Sequence, residues 1–227
     1  MRKIAVIGLG RFGMTLARQM AASGVEVIAV DRDRRLVDEI KDDVDIAVRL
    51  DATDEASLHS QDIDKVDVCV VSIGENFEAA LLATVLARRL DIPRVICRAQ
   101  TQFHAEIFQQ IGADEVIQPE MQAGEYLARK LANPQIEDFI SLADGYTLIE
   151  LKAPRPFQGK TLQELALRGT FGVNLVAIKR TTKSERDGET VETTEITGVP
   201  KASDVIQSGD TLVLVGSDEA LARLPKE

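Results

Sequence analysis

The sequence predicts an α/β protein: a Rossmann-like doubly wound parallel sheet followed by a second, smaller α+β domain. Two features of residues 1–120 and one change of pattern after them lead to this. Six short apolar runs alternate with segments of 3.6-residue periodicity, as strands buried on both faces and their crossover helices require. The first run passes into the glycine-rich turn Gly8-Leu9-Gly10-Arg11-Phe12-Gly13, and the second closes on the acid Asp31. Past residue 135 the strand-like runs are separated by polar tracts instead of long helices, so the chain divides into domains at 1–135 and 136–227.

The runs in order are "KIAVIGLG", "EVIAVD", "IAVRLD", "VDVCVVSI", "RVICRAQ" and "DEVIQP". Between them "FGMTLARQMAAS", "RRLVDEI", "EAALLATVLARRL" and "FHAEIFQQIG" carry helical periodicity. Right-handed crossovers then give the strand order 3-2-1-4-5-6. "DIPRV" and "IGADEV" connect helices to strands with proline or glycine where such turns need them. Pro119 opens a further helix through "PEMQAGEYLARKLANPQIEDFISL", interrupted at Asn133-Pro134. The second domain reads as strand "YTLIELKAP", helix "TLQELALR", strand "NLVAIKR", an exposed hairpin or loop across "TTKSERDGETVETTEI", and strand "DTLVLVGS".

Composition narrows the function classes. The 227 residues are 44% apolar, enough for one large core or two small ones. No apolar run approaches the ~20 residues of a membrane span, and "MRKIAVIGLG" runs directly into a strand, so neither a signal peptide nor a membrane anchor is expected. The net charge of −10 divides as 16 basic and 23 acidic residues in 1–137, with 11 and 14 in 138–227. Neither half offers the basic face that nucleic acid demands. Cys69 and Cys97 lie inside apolar runs without CxxC spacing, as buried thiols of a reducing compartment.

In the glycine turn, Gly8 permits the tight bend, Gly10 lets phosphate approach the backbone, and Gly13 lets helix and strand pack closely. Free N–H groups at the helix start then bind phosphate. Asp31, 18 residues after Gly13, stands where a carboxylate holds ribose hydroxyls and disfavours a 2′-phosphate, although Arg32 leaves room for one. Two further loops leave neighbouring strands on the same side of the sheet. Asp51, Ala52 and Thr53 of "LDATD" could edge an adenine, and Ser72, Ile73, Gly74 and Asn76 of "SIGEN" could cover the nucleotide. Taken singly, each loop is also an ordinary helix cap.

Arg98 ends the fifth run, able to pair with phosphate or with an acid such as Asp51, and Arg11 carries the same alternatives. Two arginines around one crevice exceed what a diphosphate on a helix N-terminus requires and suit a γ-phosphate. Glu120 is open to two readings, a first-turn acid complementing the helix dipole or a ligand for a divalent ion. No Ser/His/Asp or Cys/His set assembles around the crevice, and the only histidines are His59 and His104. This points away from an enzyme.

The combination of "VIGLGRFG", "VIAVD", "LDATD", "VVSIGEN", "DIPRVICRAQ" and "IGADEVIQPE" with "LQELALRGTFGVNLVAIKR" and "GDTLVLVGS" resembles the regulatory subunits of Ktr/Trk-type potassium-uptake systems, over essentially the whole chain. These carry an N-terminal regulator-of-potassium-conductance (RCK, or KTN) domain and a smaller RCK C-terminal domain. The resemblance implies a cytoplasmic gating subunit that binds ATP or ADP. Dimers would assemble into an octameric ring beneath an integral-membrane potassium-translocating partner, with no insertion of its own into the bilayer. Carried over onto this sequence, Gly8, Gly10, Arg11, Phe12 and Gly13 would belong to the nucleotide site, with Arg11 contacting the phosphates and reaching a γ-phosphate near the dimer partner. Asp31, Arg32 and Asp33 would line the ribose end. Asp51, Ala52 and Thr53 would border the adenine, and Arg98 would be a further phosphate contact. Glu120 would bind a divalent cation, magnesium or calcium, beside ATP. Arg168 and Asn174 fall where some relatives bind cyclic di-AMP. Residues 181–196 depart from the compact C-terminal pattern. The competing reading is an NAD(H)-binding oxidoreductase or redox sensor.

Overall fold

The central apolar runs pair as parallel strands, buried on both faces as crossover helices allow. The computed structural model describes residues 2–186 and 189–225, and of 183–186 and 189–192 the backbone alone. Two compact units divide it, Met1–Gly124 and Glu125–Glu227.

In the first unit, β1 (Lys3–Ile7), β2 (Glu26–Asp31), β3 (Ile46–Arg49), β4 (Val68–Val71), β5 (Val95–Arg98) and β6 (Glu115–Ile117) form one parallel sheet in the order β3-β2-β1-β4-β5-β6. This is the predicted topology. The central strands β1 and β4 are almost wholly buried, whereas the edge strands β3 and β6 are half-exposed. Helices α1 (Arg11–Ala22), α2 (Arg34–Ile40), α4 (Phe77–Arg89) and α5 (Gln102–Gln110) occupy the predicted periodic segments. A short helix α3 (Glu55–Ser60), capped by Asp54, follows the "LDATD" loop, as the cap reading of that loop allows. Fully buried Ile7, Ile28, Leu58, Ile63 and Phe108 lie in the largest core cluster, each contributing about 1.5–3 kcal/mol through burial.

Three aspartates tie the amino-terminal edge of this sheet. Asp67 accepts the N–H of Lys3 at 2.7 Å, Asp45 that of Val27 at 2.9 Å, and Asp114 that of Val95 at 2.6 Å. Each acid immediately precedes one strand and satisfies a donor near the start of its neighbour. Strand ends otherwise leave such donors orphaned.

Helix α6 (Pro119–Ala132) begins at Pro119 as expected and stops before Asn133-Pro134, since a residue preceding proline is driven out of the helical region. The expected helical continuation through "FISL" is a strand instead. Ile136–Ala143 forms β7, joined by the Asp144-Gly145 turn to β8 (Tyr146–Lys152), with Gly145 at φ +72°. The second unit is an antiparallel sheet of these two with β9 (Asn174–Arg186), β10 (Glu189–Thr197) and β11 (Asp210–Ser217), ordered β10-β9-β11-β8-β7. The polar tract 181–196 is therefore a long β9–β10 hairpin; its residues 187 and 188 lie outside the described residues. "TLQELALR" also divides: Ala166, at φ +43°, separates α7 (Leu162–Leu165) from α8 (Leu167–Thr170). Helix α9 (Asp218–Ala222) follows β11, and a separate core built around Ile149, Leu151, Ile206, Leu212 and Leu214 closes this unit.

Candidate nucleotide-binding site

The carboxyl ends of β1, β2, β4 and β5 open onto a crevice of about 860 Å³. In a doubly wound sheet this is where neighbouring connections diverge and leave room for a ligand. The glycine loop forms its floor. Gly8 has φ +98°, and a Cβ there would lie 2.8 Å from the Ile73 backbone nitrogen. Gly10, the residue before α1, caps that helix with no side chain, and no acid occupies the first turn. The first N–H groups of α1 are thus left for an anion. A Cβ on Gly10 would meet nothing within 4 Å, so the space above this backbone is open to a ligand.

Gly13 does not line the crevice. It sits against the loop behind, where a Cβ would fall 1.9 Å from the Gly8 carbonyl oxygen. Its place is structural: α1 can approach β1 only because this side chain is absent. Ser72 completes the lock by donating its hydroxyl to the carbonyls of Gly8 and Ile7.

Asp31 reaches across from β2, its two oxygens accepting the Leu9 N–H at 2.6 Å and the Asp33 N–H at 2.8 Å. The carboxylate is thereby fixed between the glycine loop and the β2 terminus. Asp33 caps α2 through the Arg35 N–H and pairs with the Arg35 guanidinium, which holds its carboxyl below the usual range. Asp51 accepts both the Thr53 N–H and its hydroxyl, which likewise depress its pKa. Asn76 caps α4 through the Ala79 N–H at 3.0 Å. These three side chains shape the wall through bonds they already make.

Arg11 and Arg98 bring positive charge to the same crevice. The Arg98 side chain is only 14% exposed, with Nη2 on Glu120, while its buried Nε has no partner among the described residues. The guanidinium rests against Gly74, where a Cβ would collide with Nη1, and stands 6.0 Å from the Phe12 ring. Burial pushes the Glu120 carboxyl up, but the Arg98 hydrogen bond and the charges of Arg98 and Arg11 hold it below its ordinary value.

The crevice thus gathers every predicted nucleotide residue except Gly13: Gly8, Gly10, Arg11, Phe12, Asp31, Arg32, Asp33, Asp51, Ala52, Thr53, Ser72, Ile73, Gly74, Asn76 and Arg98, with Glu120 beside them. It adds Leu36, Leu50, Leu82, Glu75, Glu78 and Gln100. Leu50, Glu75 and Gln100 sit within the quoted motifs, but Leu36 and Leu82 follow helical periodicity and carried no signal of a site. Arg168 and Asn174 lie apart from it, lining a shallow depression of about 430 Å³ in the second unit. Both histidines lie outside the lining: His59 pairs with Asp64 at 3.4 Å, and His104 stacks on Phe77. No cluster of three or more metal-ligating side chains exists among the described residues.

Comparison with known proteins places these features in a family. Residues 4–119 match the TrkA-N domain and residues 146–227 the TrkA-C domain. The chain is 33% identical over 225 residues to the Ktr system potassium uptake protein C of Bacillus subtilis, covering 99% of this chain and 96% of that protein. It is also 33% identical over 226 residues to Ktr system potassium uptake protein A of the same organism, covering 100% and 96%. Among solved structures, the GsuK RCK domain shares the fold, with a TM-score of 0.55 at 24% identity, across 97% of this chain and 45% of that one. The NAD(P)-binding domain of an exopolyphosphatase-related protein from Archaeoglobus fulgidus aligns with 58% of this chain and 98% of its own, at 26% identity and a TM-score of 0.52. No helix among the described residues is long and apolar enough to cross a membrane.

Proposed function

The chain belongs to the TrkA-N/TrkA-C family of potassium-uptake regulatory proteins, and from that premise we propose that it regulates potassium uptake by sensing ATP and ADP. The observation that carries this reading is the pair of guanidiniums, Arg11 and Arg98, on one crevice whose floor is an uncapped helix N-terminus. A diphosphate is already served by that helix end and by the glycine backbone. A second and third cationic group gains most from a further phosphate. The unpartnered, buried Arg98 Nε is a donor that a phosphate oxygen would satisfy.

The parts of a nucleotide fit the lining in order. Gly8, Gly10 and the α1 amides would take the phosphates, and Asp31 the ribose hydroxyls. Ala52, Leu36 and Leu50 would give the base an apolar bed. Glu120, 62% exposed at the start of α6, would contribute one carboxylate to magnesium or calcium. Mg²⁺ commonly binds through one or two carboxylates and substrate phosphates, so no protein cage is needed. Regulation then follows from differential contacts. ATP and ADP would bias the subunit between conformations, and coupling of about 1–3 kcal/mol would change opening of a membrane partner several-fold. Homodimers assembled into an octameric ring at the inner face of the membrane would transmit that bias. The Arg168–Asn174 depression would be a second regulatory site, for cyclic di-AMP.

NAD(H) binding is the second reading, favoured by Asp31 at the end of β2, the position that grips a ribose. Thermal titration with ATP, ADP, NADH and NADPH separates the two. ATP should stabilise most, and Arg11→Ala should lower ATP affinity about tenfold while sparing ADP, one charge-assisted bond being worth about 1.5–3 kcal/mol. NADH binding tighter than ATP and indifferent to Arg11→Ala overturns the sensor. Magnesium should raise the melting temperature further with ATP, and Glu120→Gln should remove that increment; an unchanged increment removes Glu120 from the cation site.

A further inference from the structure

The Arg98–Glu120 pair has asymmetric surroundings. Arg98 is enclosed: its guanidinium lies on the Gly74 backbone, near Phe12, with Nε buried. Glu120 is the exposed member, 62% accessible against 14% for Arg98, and among the described residues its side chain pairs with Arg98 alone. When a competitor arrives, the carboxylate can leave with little repacking, whereas the arginine cannot. The pair also lines the crevice that Gly10 and Arg11 line, with the Arg98 guanidinium against Gly74.

We propose that Glu120 is a resident counter-ion that an incoming nucleotide phosphate must displace from Arg98. This rests on the nucleotide-binding reading above and specifies how that site is regulated. A phosphate brings more negative charge than a carboxylate and can also satisfy Nε, so it wins Arg98. The released carboxylate then remains next to phosphate oxygens with its counter-charge gone, and like charges so placed repel. A divalent cation removes that repulsion. Nucleotide and cation are therefore coupled through the exchange. Without the cation, Glu120 opposes the nucleotide; with it, Glu120 supports binding. By linkage the effect is reciprocal, each ligand tightening the other by the same factor.

Calorimetric titration of the full chain with ADP and with adenosine, in EDTA and then in magnesium chloride, tests the proposal. In EDTA, Glu120→Gln should tighten ADP about three- to tenfold, because no carboxylate competes for Arg98. Adenosine, which lacks phosphate, should change by less than about twofold. Glu106→Gln removes the same charge outside the crevice lining, and Glu106 takes part in no ion pair among the described residues; its effect on ADP should also stay below about twofold. An Glu120→Gln protein that binds ADP no more tightly than wild type in EDTA overturns the exchange. Equal gains from Glu106→Gln and Glu120→Gln also overturn it, since the effect would then be unspecific charge removal. Wild-type protein that binds no ADP even with magnesium overturns the nucleotide-binding reading itself, a separate and distinguishable result.

Discussion

At the scale of single residues, the glycines of one motif do different physical work, and two substitutions separate them. Gly13→Ala would place a methyl group 1.9 Å from the Gly8 carbonyl oxygen and 2.5 Å from the Ser72 hydroxyl. The first obstacle is backbone locked in the loop, so α1 must retreat from β1. A loss of about 3 kcal/mol is expected, at the upper end of overpacking costs. Gly10→Ala adds the same methyl where nothing lies within 4 Å, on a residue at φ −62°, a conformation any L-residue adopts. Its stability should stay within about 0.5 kcal/mol of wild type, while ADP affinity falls because the methyl occupies the phosphate approach. Urea denaturation and ADP titration of both proteins check this, and the outcome against it is a stable Gly13→Ala or an undiminished affinity in Gly10→Ala. These roles were legible in the sequence because glycine spacing reports backbone approach directly. The cap made by Asn76 was open as one reading of the "SIGEN" loop, whereas the structural uses of Asp33 and Ser72 were not legible. Each of those depends on a cap or a cross-loop bond that forms only once the fold exists.

At the scale of elements, the parallel sheet was readable strand by strand because burial on both faces leaves β1, β2 and β4 nearly without polar residues. Strand β7 escaped notice for the opposite reason. Five of its eight residues are exposed, Ile140 and Leu142 among them, so "IEDFISLA" shows no period-2 core face. The sequence leaves β9–β10 open as an exposed hairpin or a loop, because its polar tract offers no core face; the antiparallel register makes it a hairpin. Where β9 meets β11, a charge is buried instead. The Asp210 side chain is wholly inaccessible and takes a two-pronged contact from Arg180 at 2.8 and 2.9 Å, plus the Gln207 N–H. Burial pushes its carboxyl up, yet the Arg180 bond and charge and the Gln207 N–H leave it below the ordinary value. Because the folded pKa is depressed, this pair stabilises the fold above the unfolded pKa of about 3.9 and is lost as pH falls through the folded value. Asp210→Asn should therefore cost about 2–3 kcal/mol at pH 7, below the full buried-pair penalty because Arg180 is 37% exposed. The mutant should also lose part of the acid dependence of stability below about pH 4. Denaturant melts at pH 7 and pH 3 measure both, and an equal cost at the two pH values argues against the pair.

At the scale of the whole molecule, each unit closes its own hydrophobic core among the described residues, three clusters around the parallel sheet and one on the antiparallel sheet. The nucleotide crevice lies wholly within Met1–Gly124, and the Arg180–Asp210 pair lies wholly within Glu125–Glu227. Two cores with separate ligand and charge determinants should unfold as distinguishable cooperative blocks. Scanning calorimetry of the full chain should then resolve two transitions. ADP with magnesium at about one hundred times its dissociation constant adds about 2.7 kcal/mol to the state that binds it. For a unit of this size that moves the first block's midpoint by roughly 10 °C. Asp210→Asn should lower the other midpoint and leave the ADP response intact. A regulatory relay requires that ADP also shift the second block, but by no more than the coupling energy, about 1–3 kcal/mol. A merged transition that ADP and Asp210→Asn move together would mean that the two cores act as one thermodynamic unit. An ADP shift confined to the first block would mean that, in the isolated chain, the nucleotide signal stops at the domain that receives it.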